Sequence, residues 1–89
     1  MKISFSNSFK KAFKKRIQET ETEADFWDKV KIFIEDPFDP KLKTHKLSGK
    51  LKDLWSFSIE YNLRVIFYFT TDKPKQAVFV DIGSHDEVY

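Results

Sequence analysis

The sequence contains no cysteine, so the chain can form neither a disulfide framework nor a thiolate metal site. It also has no apolar run approaching the roughly 20 residues needed to span a bilayer. The first residues alternate Lys2, Ser4 and Ser6 with Ile3 and Phe5, which is unlike a secretory signal. No internal repeat or linker interrupts the 89 residues. We therefore expect one intracellular, cytoplasmic domain that has no membrane partner.

The stretch around which the chain is organised is Leu63–Phe69, which reads L-R-V-I-F-Y-F. It is too short for a helix and rich in β-branched and aromatic residues, which predicts a strand covered on both faces. Arg64 is its only charge, and a guanidinium cannot lose its proton inside a protein. Arg64 therefore needs an anion, which is either a nearby carboxylate such as Glu60 or a ligand phosphate.

The first half of the chain predicts a strand followed by two helices. Residues 1–5 alternate apolar and polar side chains, and Ser6, Asn7 or Ser8 can cap the helix that follows. Helical spacing predicts a first helix ending near Thr20 and a second ending near Glu35. Thr22 and Asp25 match a capping box at the start of the second helix. The residues that follow helical spacing in each helix form stripes that are expected to face the core (Phe9, Phe13, Arg16 and Ile17; Phe26, Trp27, Val30, Phe33 and Ile34).

The second half predicts strands. Pro37 and Pro40 open a long loop, which is followed by strands at 54–59, 63–69 and 76–82. In the first of these, apolar residues alternate with Ser56, Ser58 and Glu60, which predicts one buried and one polar face. The third is expected to place Val78, Val80 and Ile82 on one face. The fold class is therefore α+β, in which an N-terminal strand and a two-helix hairpin precede a three-strand antiparallel meander, with both helices on one face of the sheet.

The net charge of +2 conceals strong segregation. Residues 2–16 carry six cations and no acid, residues 19–39 carry eight acids and two lysines, and residues 41–64 carry six cations and two acids. Separate poles of this kind indicate a basic surface for a polyanion, although solvated helix and loop faces would give the same composition.

Three segments together resemble a known family. They are H-K-L-S-G-K-L-K-D-L-W at 45–55, N-L-R-V-I-F at 62–67 and D-I-G-S-H-D-E-V-Y at 81–89. Their order and spacing are similar to the RelE/ParE superfamily of type II toxins, and in particular to its YafQ- and YoeB-like members. The resemblance implies an endoribonuclease that cleaves mRNA in the ribosomal A site, uses no cofactor or metal, and is neutralised by a cognate antitoxin in a hetero-oligomer. The superfamily also includes ParE, a gyrase inhibitor without nuclease activity, and an inactive relative is a further reading.

The resemblance also assigns site residues. It places Arg64 at the phosphate-binding arginine, His85 at a catalytic histidine, Tyr89 at the closing aromatic and His45 at a histidine of YafQ-like members. Metal-free RNA cleavage needs a base, an acid and cations, and histidine titrates near neutral pH. Tyr89 is suited to stacking on a base. Five lysines of the loop are candidate contacts for RNA phosphates (Lys41, Lys43, Lys46, Lys50 and Lys52).

The chain departs from the family pattern at two positions. Where YafQ-like enzymes carry a further histidine and an aspartate, this sequence has Ser58 and Asn62, and neither side chain is a ready base. The identity of the general base is left open, with Glu60 a candidate by its position near Arg64. Either histidine also has a purely structural reading. The lysines of the first helix (Lys10, Lys11, Lys14 and Lys15) are expected to meet an acidic antitoxin.

Overall fold

The computed structural model describes residues 1–49 and 53–84. In these ranges two α-helices and four of the five strands follow the predicted order, and neither helix is long and apolar enough to cross a membrane. The elements are β1 (Lys2–Phe5), α1 (Asn7–Arg16), α2 (Thr22–Glu35), a 3-10 turn (Pro40–Leu42), β2 (His45–Lys46), β3 (Trp55–Glu60), β4 (Leu63–Phe69) and β5 (Gln76–Gly83).

The strands form one mixed sheet in the order β1-β5-β4-β3-β2. β3, β4 and β5 make the expected antiparallel meander, and the first strand pairs in parallel with the last. The short strand β2 was not predicted, because the loop in which it lies lacks apolar alternation. His45 and Lys46 nevertheless pair with Ser56 and Trp55 and extend the sheet at its β3 edge.

The predicted arrangement of both helices on one face is confirmed, and phenylalanine rings fill the space between the layers. Phe33 of α2 lies 5.0 Å from Phe57, 5.0 Å from Phe67 and 5.3 Å from Phe79, measured between ring centroids. Phe9 of α1 lies 5.5 Å from Phe79. Trp27 and Ile34, which helical spacing placed in the core, are instead 41% exposed at the margin of the α2 stripe.

A bulge between β4 and β5 changes which side chains of β5 face the helices. Ile66 pairs with Asp81 and Phe67 pairs with Phe79, so Val80 is the extra residue. The simple alternation predicted for β5 is therefore wrong beyond this point, because a bulge re-aims the side chains that follow it. Ile82 joins Phe79 in the core, and Val80 packs on the opposite face beside Ile66.

A second bulge, in β3, separates Glu60 from the serines. Ser58 pairs with Arg64, but Glu60 pairs with Leu63, which packs against the core on the helix side. Glu60 therefore lies on the side of α2, where its Oε1 accepts a 2.8 Å hydrogen bond from the hydroxyl of Thr22. The prediction that this strand has one buried and one polar face is also wrong in one respect, because Ser56 and Ser58 of the polar face are themselves buried.

The turn between the helices differs from the predicted capping box. Ser6 caps α1 as expected, but α2 begins at Thr22 itself and has no side-chain cap at the preceding residue. Glu23 organises this turn instead, since its carboxylate accepts from the backbone N–H of Glu19 and from the indole N–H of Trp27. The Glu19 hydrogen bond, and to a lesser extent that of Trp27, holds the pKa of Glu23 below its usual value.

We expect Phe67→Ala to lower the free energy of unfolding by about 3–5 kcal/mol, because it removes a fully buried ring from between Phe33, Phe57 and Phe79. Denaturant titration measures the change. Tyr68→Ala is the matched control, since this neighbouring residue of β4 is 38% exposed. A loss below about 1 kcal/mol for Phe67→Ala would contradict the core position of β4.

Candidate functional site

A cavity of about 640 Å³ opens at the end of the sheet where β3 turns into β4. α2, the 3-10 turn, the two strands and their hairpin turn all contribute to its walls. Four cations and one acid are among its lining residues, which makes the cavity suited to an anion (Lys29, Lys41, Lys43 and Arg64; Glu60). The other described residues of the lining are Ser58, Ile59, Tyr61 and Asn62.

Arg64 is held on the rigid part of this wall. It lies near the start of β4, directly opposite Ser58 of β3 and Gly83 of β5. Its Nη1 donates a 2.8 Å hydrogen bond to the hydroxyl of Ser58. A half-buried guanidinium oriented by a neighbouring strand is a preorganised donor for a carboxylate or phosphate group.

The alternative in which Arg64 simply pairs with Glu60 across the hairpin does not match the register. The bulge at Ile59 places Glu60 opposite Leu63 and turns it toward Thr22 of α2. Both charged groups line the same cavity, but they approach it from opposite faces of the strand pair. Glu60 thus stands across the cavity from Arg64, in contact with α2.

The 3-10 turn delivers Lys41 and Lys43 to the cavity. Pro40 begins the turn, and the carboxylate of Asp39 caps it by accepting a 2.8 Å hydrogen bond from the backbone N–H of Lys41. Lys43 closes the turn in the left-handed region at φ 52°, a conformation that costs roughly 1 kcal/mol or more in a residue with a side chain. The conformation directs the chain from the turn into β2.

His45 lies beside the cavity without lining it. His45 pairs with Ser56, and Ser56 pairs with Ile66, which lies two residues after Arg64 on β4. His45 therefore lies on the same face of the sheet as Arg64, with about 12 Å between the two Cα atoms. Its Nδ1 lies 3.0 Å from the carbonyl oxygen of Lys43. A carbonyl only accepts, so Nδ1 is the donor in this contact.

The candidate RNA-binding lysines do not form one group. Lys46 pairs with Trp55, whose side chain packs against the core, so Lys46 lies on the helix side of the sheet, away from His45 and Arg64. Lys41 and Lys43 are the members of the set that line the cavity. Lys50 and Lys52 lie outside the described residues, as do His85 and Tyr89.

Two lining residues were missed by the sequence analysis. Lys29 occurs in the acidic segment, and its position on the cavity side of α2 follows only from the packing of that helix. Tyr61 is 95% exposed at the tip of the β3–β4 turn. An aromatic residue in a predicted hairpin turn was the available signal, since exposed rings at a basic cavity are stacking platforms for bases.

The described ranges bring together no group of three or more histidine or acidic side chains with the geometry of a metal site. Among the described residues, the cavity has four positively charged side chains and one carboxylate, with His45 nearby.

The order of the elements, with two helices and a mixed five-strand sheet, is that of RelE-like toxin folds. The whole chain, residues 1–89, matches the family described as the bacterial toxin of type II toxin–antitoxin system, YafQ. The chain therefore belongs to the YafQ toxin family.

Solved structures support the same fold. YafQ from E. coli is 18% identical with a TM-score of 0.77, over 98% of this chain and 96% of that chain. A copper-bound mutant toxin from Helicobacter pylori is 23% identical with a TM-score of 0.76, over 100% and 99%. The toxin in the E. coli DinJ–YafQ complex is 19% identical with a TM-score of 0.66, over 98% and 94%. No curated protein sequence matches the chain.

We expect Lys41→Gln/Lys43→Gln to weaken the binding of single-stranded RNA, because both lysines line the cavity. If each contacts one phosphate, the slope of log K against log salt should fall by about 1.4. Fluorescence anisotropy of a labelled oligonucleotide at several salt concentrations measures it. Lys46→Gln is the control on the other sheet face and should leave the slope near that of the wild type. If Lys46→Gln lowered the slope as much per lysine as Lys41→Gln/Lys43→Gln does, the assignment of these lysines to different faces of the sheet would be wrong.

Proposed function

We propose that the protein is a ribosome-dependent endoribonuclease that cleaves mRNA in the A site and thereby inhibits translation. The observation that carries this proposal is the cavity in which Arg64, oriented by Ser58, faces the lysines of α2 and the 3-10 turn. Membership of the YafQ toxin family supports it. The substrate is a strand of RNA, whose backbone offers one anionic group per nucleotide to such a cavity.

In this mechanism the 2′-oxygen attacks the adjacent phosphorus, and the bond from phosphorus to the 5′-oxygen breaks. The products are a 2′,3′-cyclic phosphate and a 5′-hydroxyl. Arg64 binds the scissile phosphate and stabilises the additional negative charge of the transition state. Lys41 and Lys43 hold the neighbouring backbone.

Two proton transfers accompany the attack. His45 accepts the proton of the 2′-hydroxyl at Nε2, since its Nδ1 is already committed as a donor to Lys43. Glu60 is the less suitable base, because its carboxylate is turned toward Thr22. His85 donates the proton to the 5′-oxygen and Tyr89 aligns the cleaved nucleotide. These last two roles rest on the sequence motif at 81–89.

The direct test is toeprinting of ribosome-bound mRNA with the purified protein. We expect Arg64→Ala to slow cleavage by about 10²–10³-fold through the loss of a preorganised donor. His85→Gln and His45→Gln, which keep the side-chain size and remove proton transfer, should each slow it by about 10²–10⁴-fold.

Lys75→Ala removes one charge from an exposed position in the β4–β5 loop, at the end of the sheet away from Arg64, and is the control. It should cleave at the wild-type rate. A folded His85→Gln protein with wild-type cleavage would remove His85 from the mechanism. A wild-type protein that inhibits growth without any cleavage product would instead indicate a gyrase-binding toxin of the ParE kind.

We further propose that a cognate antitoxin covers the groove between α1 and α2. This groove has a volume of about 200 Å³ and an almost entirely aromatic lining, with Lys10 as its charged residue (Phe5, Phe9, Phe13, Phe26 and Trp27). An amphipathic acidic segment complements both properties. The toxin in the DinJ–YafQ structure shares the fold of this chain and is there in complex with its antitoxin.

For the antitoxin, we expect Lys10→Glu/Lys14→Glu to slow association and to reduce its salt dependence, because charges at the rim of an interface act chiefly on the association rate. Stopped-flow or surface plasmon resonance with the co-encoded antitoxin measures this rate. Lys11→Glu/Lys15→Glu changes the same number of charges on the same helix and is the control. An unchanged rate for the first pair would contradict docking at this groove.

A further inference from the structure

α1 has a second face that the antitoxin proposal does not use. β1 ends at Phe5, where the N–H of Ser6 donates to the carbonyl of Phe79, and the register with β5 goes no further. The chain then continues as α1 beside the remaining part of β5, with the Ser8 hydroxyl donating a 2.7 Å hydrogen bond to the carbonyl of Val80. α1 therefore covers the β5 edge of the sheet that β1 leaves open.

This position divides the lysines of α1 into two groups. Lys10 lies at the aromatic groove, whereas Lys11 and Lys15, one helical turn apart, line a separate cavity of about 270 Å³. Arg16 lines the same cavity, and the sheet supplies its floor (Ile66, Asp81, Ile82 and Gly83). Three of the four α1 lysines predicted to meet the antitoxin thus line two different cavities, Lys10 one and Lys11 with Lys15 the other.

The floor of this second cavity is continuous with the wall that holds Arg64. Gly83 is the cross-strand partner of Arg64, and directly opposed residues of antiparallel strands are about 5 Å apart. Ile66, two residues after Arg64, lies on the same face. Arg64 thus lines the first cavity, and its immediate neighbour on β5 lines the second.

The charges of the second cavity also suit an anion. Three cations of α1 face one acid, Asp81, whose Oδ1 already accepts a 2.8 Å hydrogen bond from the N–H of Ile82. Among the described residues that line this cavity there is no large exposed apolar side chain, whereas the groove on the other side of α1 includes the exposed ring of Trp27. The composition favours a sugar-phosphate backbone here and a protein segment at the groove.

We propose that Lys11 and Lys15 anchor the RNA strand beyond the scissile phosphate, so that the substrate crosses the end of the sheet from the Lys41–Lys43 side, over Arg64 and Gly83, to α1. This inference rests on the proposed nuclease function and extends it. The anchor contributes to substrate binding and takes no part in proton transfer.

The test compares two pairs of substitutions on one helix, Lys11→Gln/Lys15→Gln and Lys10→Gln/Lys14→Gln, in the full-length protein. The probes are a dinucleotide and a longer single-stranded oligoribonucleotide, each with a 2′-O-methyl group that blocks cleavage. For the longer strand, the first pair should lower the slope of log K against log salt by about 1.4, and the second should leave it unchanged. The dinucleotide, which fills one cavity only, should bind equally to both variants.

Cleavage of ribosome-bound mRNA provides the second readout. Lys11→Gln/Lys15→Gln should raise KM and leave kcat at the wild-type value. The anchor would be overturned if the two pairs of substitutions gave identical salt slopes for RNA binding. It would also be overturned if Lys11→Gln/Lys15→Gln slowed association with the antitoxin and left RNA binding unchanged, because this face would then belong to the protein partner. If the nuclease proposal alone is wrong, the two pairs of substitutions still differ in the salt slope of RNA binding, but the wild-type protein leaves ribosome-bound mRNA intact.

Discussion

The packing of Phe33 against three strands is the constraint on which the rest of the structure depends. One ring of α2 contacts Phe57, Phe67 and Phe79, and so ties the helix to β3, β4 and β5 at once. With α2 held in this place, Lys29 one turn earlier faces the end of the sheet, and Thr22 reaches Glu60. The position of the cavity walls therefore follows from hydrophobic packing, and the charged side chains are carried to their places by it.

The two bulges then decide which charged groups meet. Without the bulge in β3, strict alternation would place Glu60 on the same face as Ser58 and Arg64. The extra residue turns the carboxylate toward α2 and leaves Ser58 as the partner of Arg64 in the register. Bulges are frequent beside functional sites for this reason, since they redirect a side chain without interrupting the sheet.

The sequence predicted the elements better than it predicted the faces. Leu63–Phe69 was identified as the central strand from its composition, and its bounds agree with the structure, because a doubly covered strand has a strong local signal. Glu60 and Ile82 were assigned to the wrong faces, since strict alternation cannot reveal an inserted residue. Lys29 was missed because its role depends on contacts between segments far apart in the chain. Arg64, Lys41 and Lys43 were found, and the structure places them around one cavity.

The parallel pairing of β1 with β5 also has a consequence for the synthesis of the protein. β5 is the neighbour of both β1 and β4, so the first strand stays without its sheet partner until residue 79 has left the ribosome. The ring of Phe79, which completes the contacts of Phe9 and Phe33, arrives at the same moment. A nascent chain that stops short of β5 has neither the closed core nor Gly83 beside Arg64. Vectorial translation thus delays assembly of the basic cavities until β5 has emerged from the ribosome.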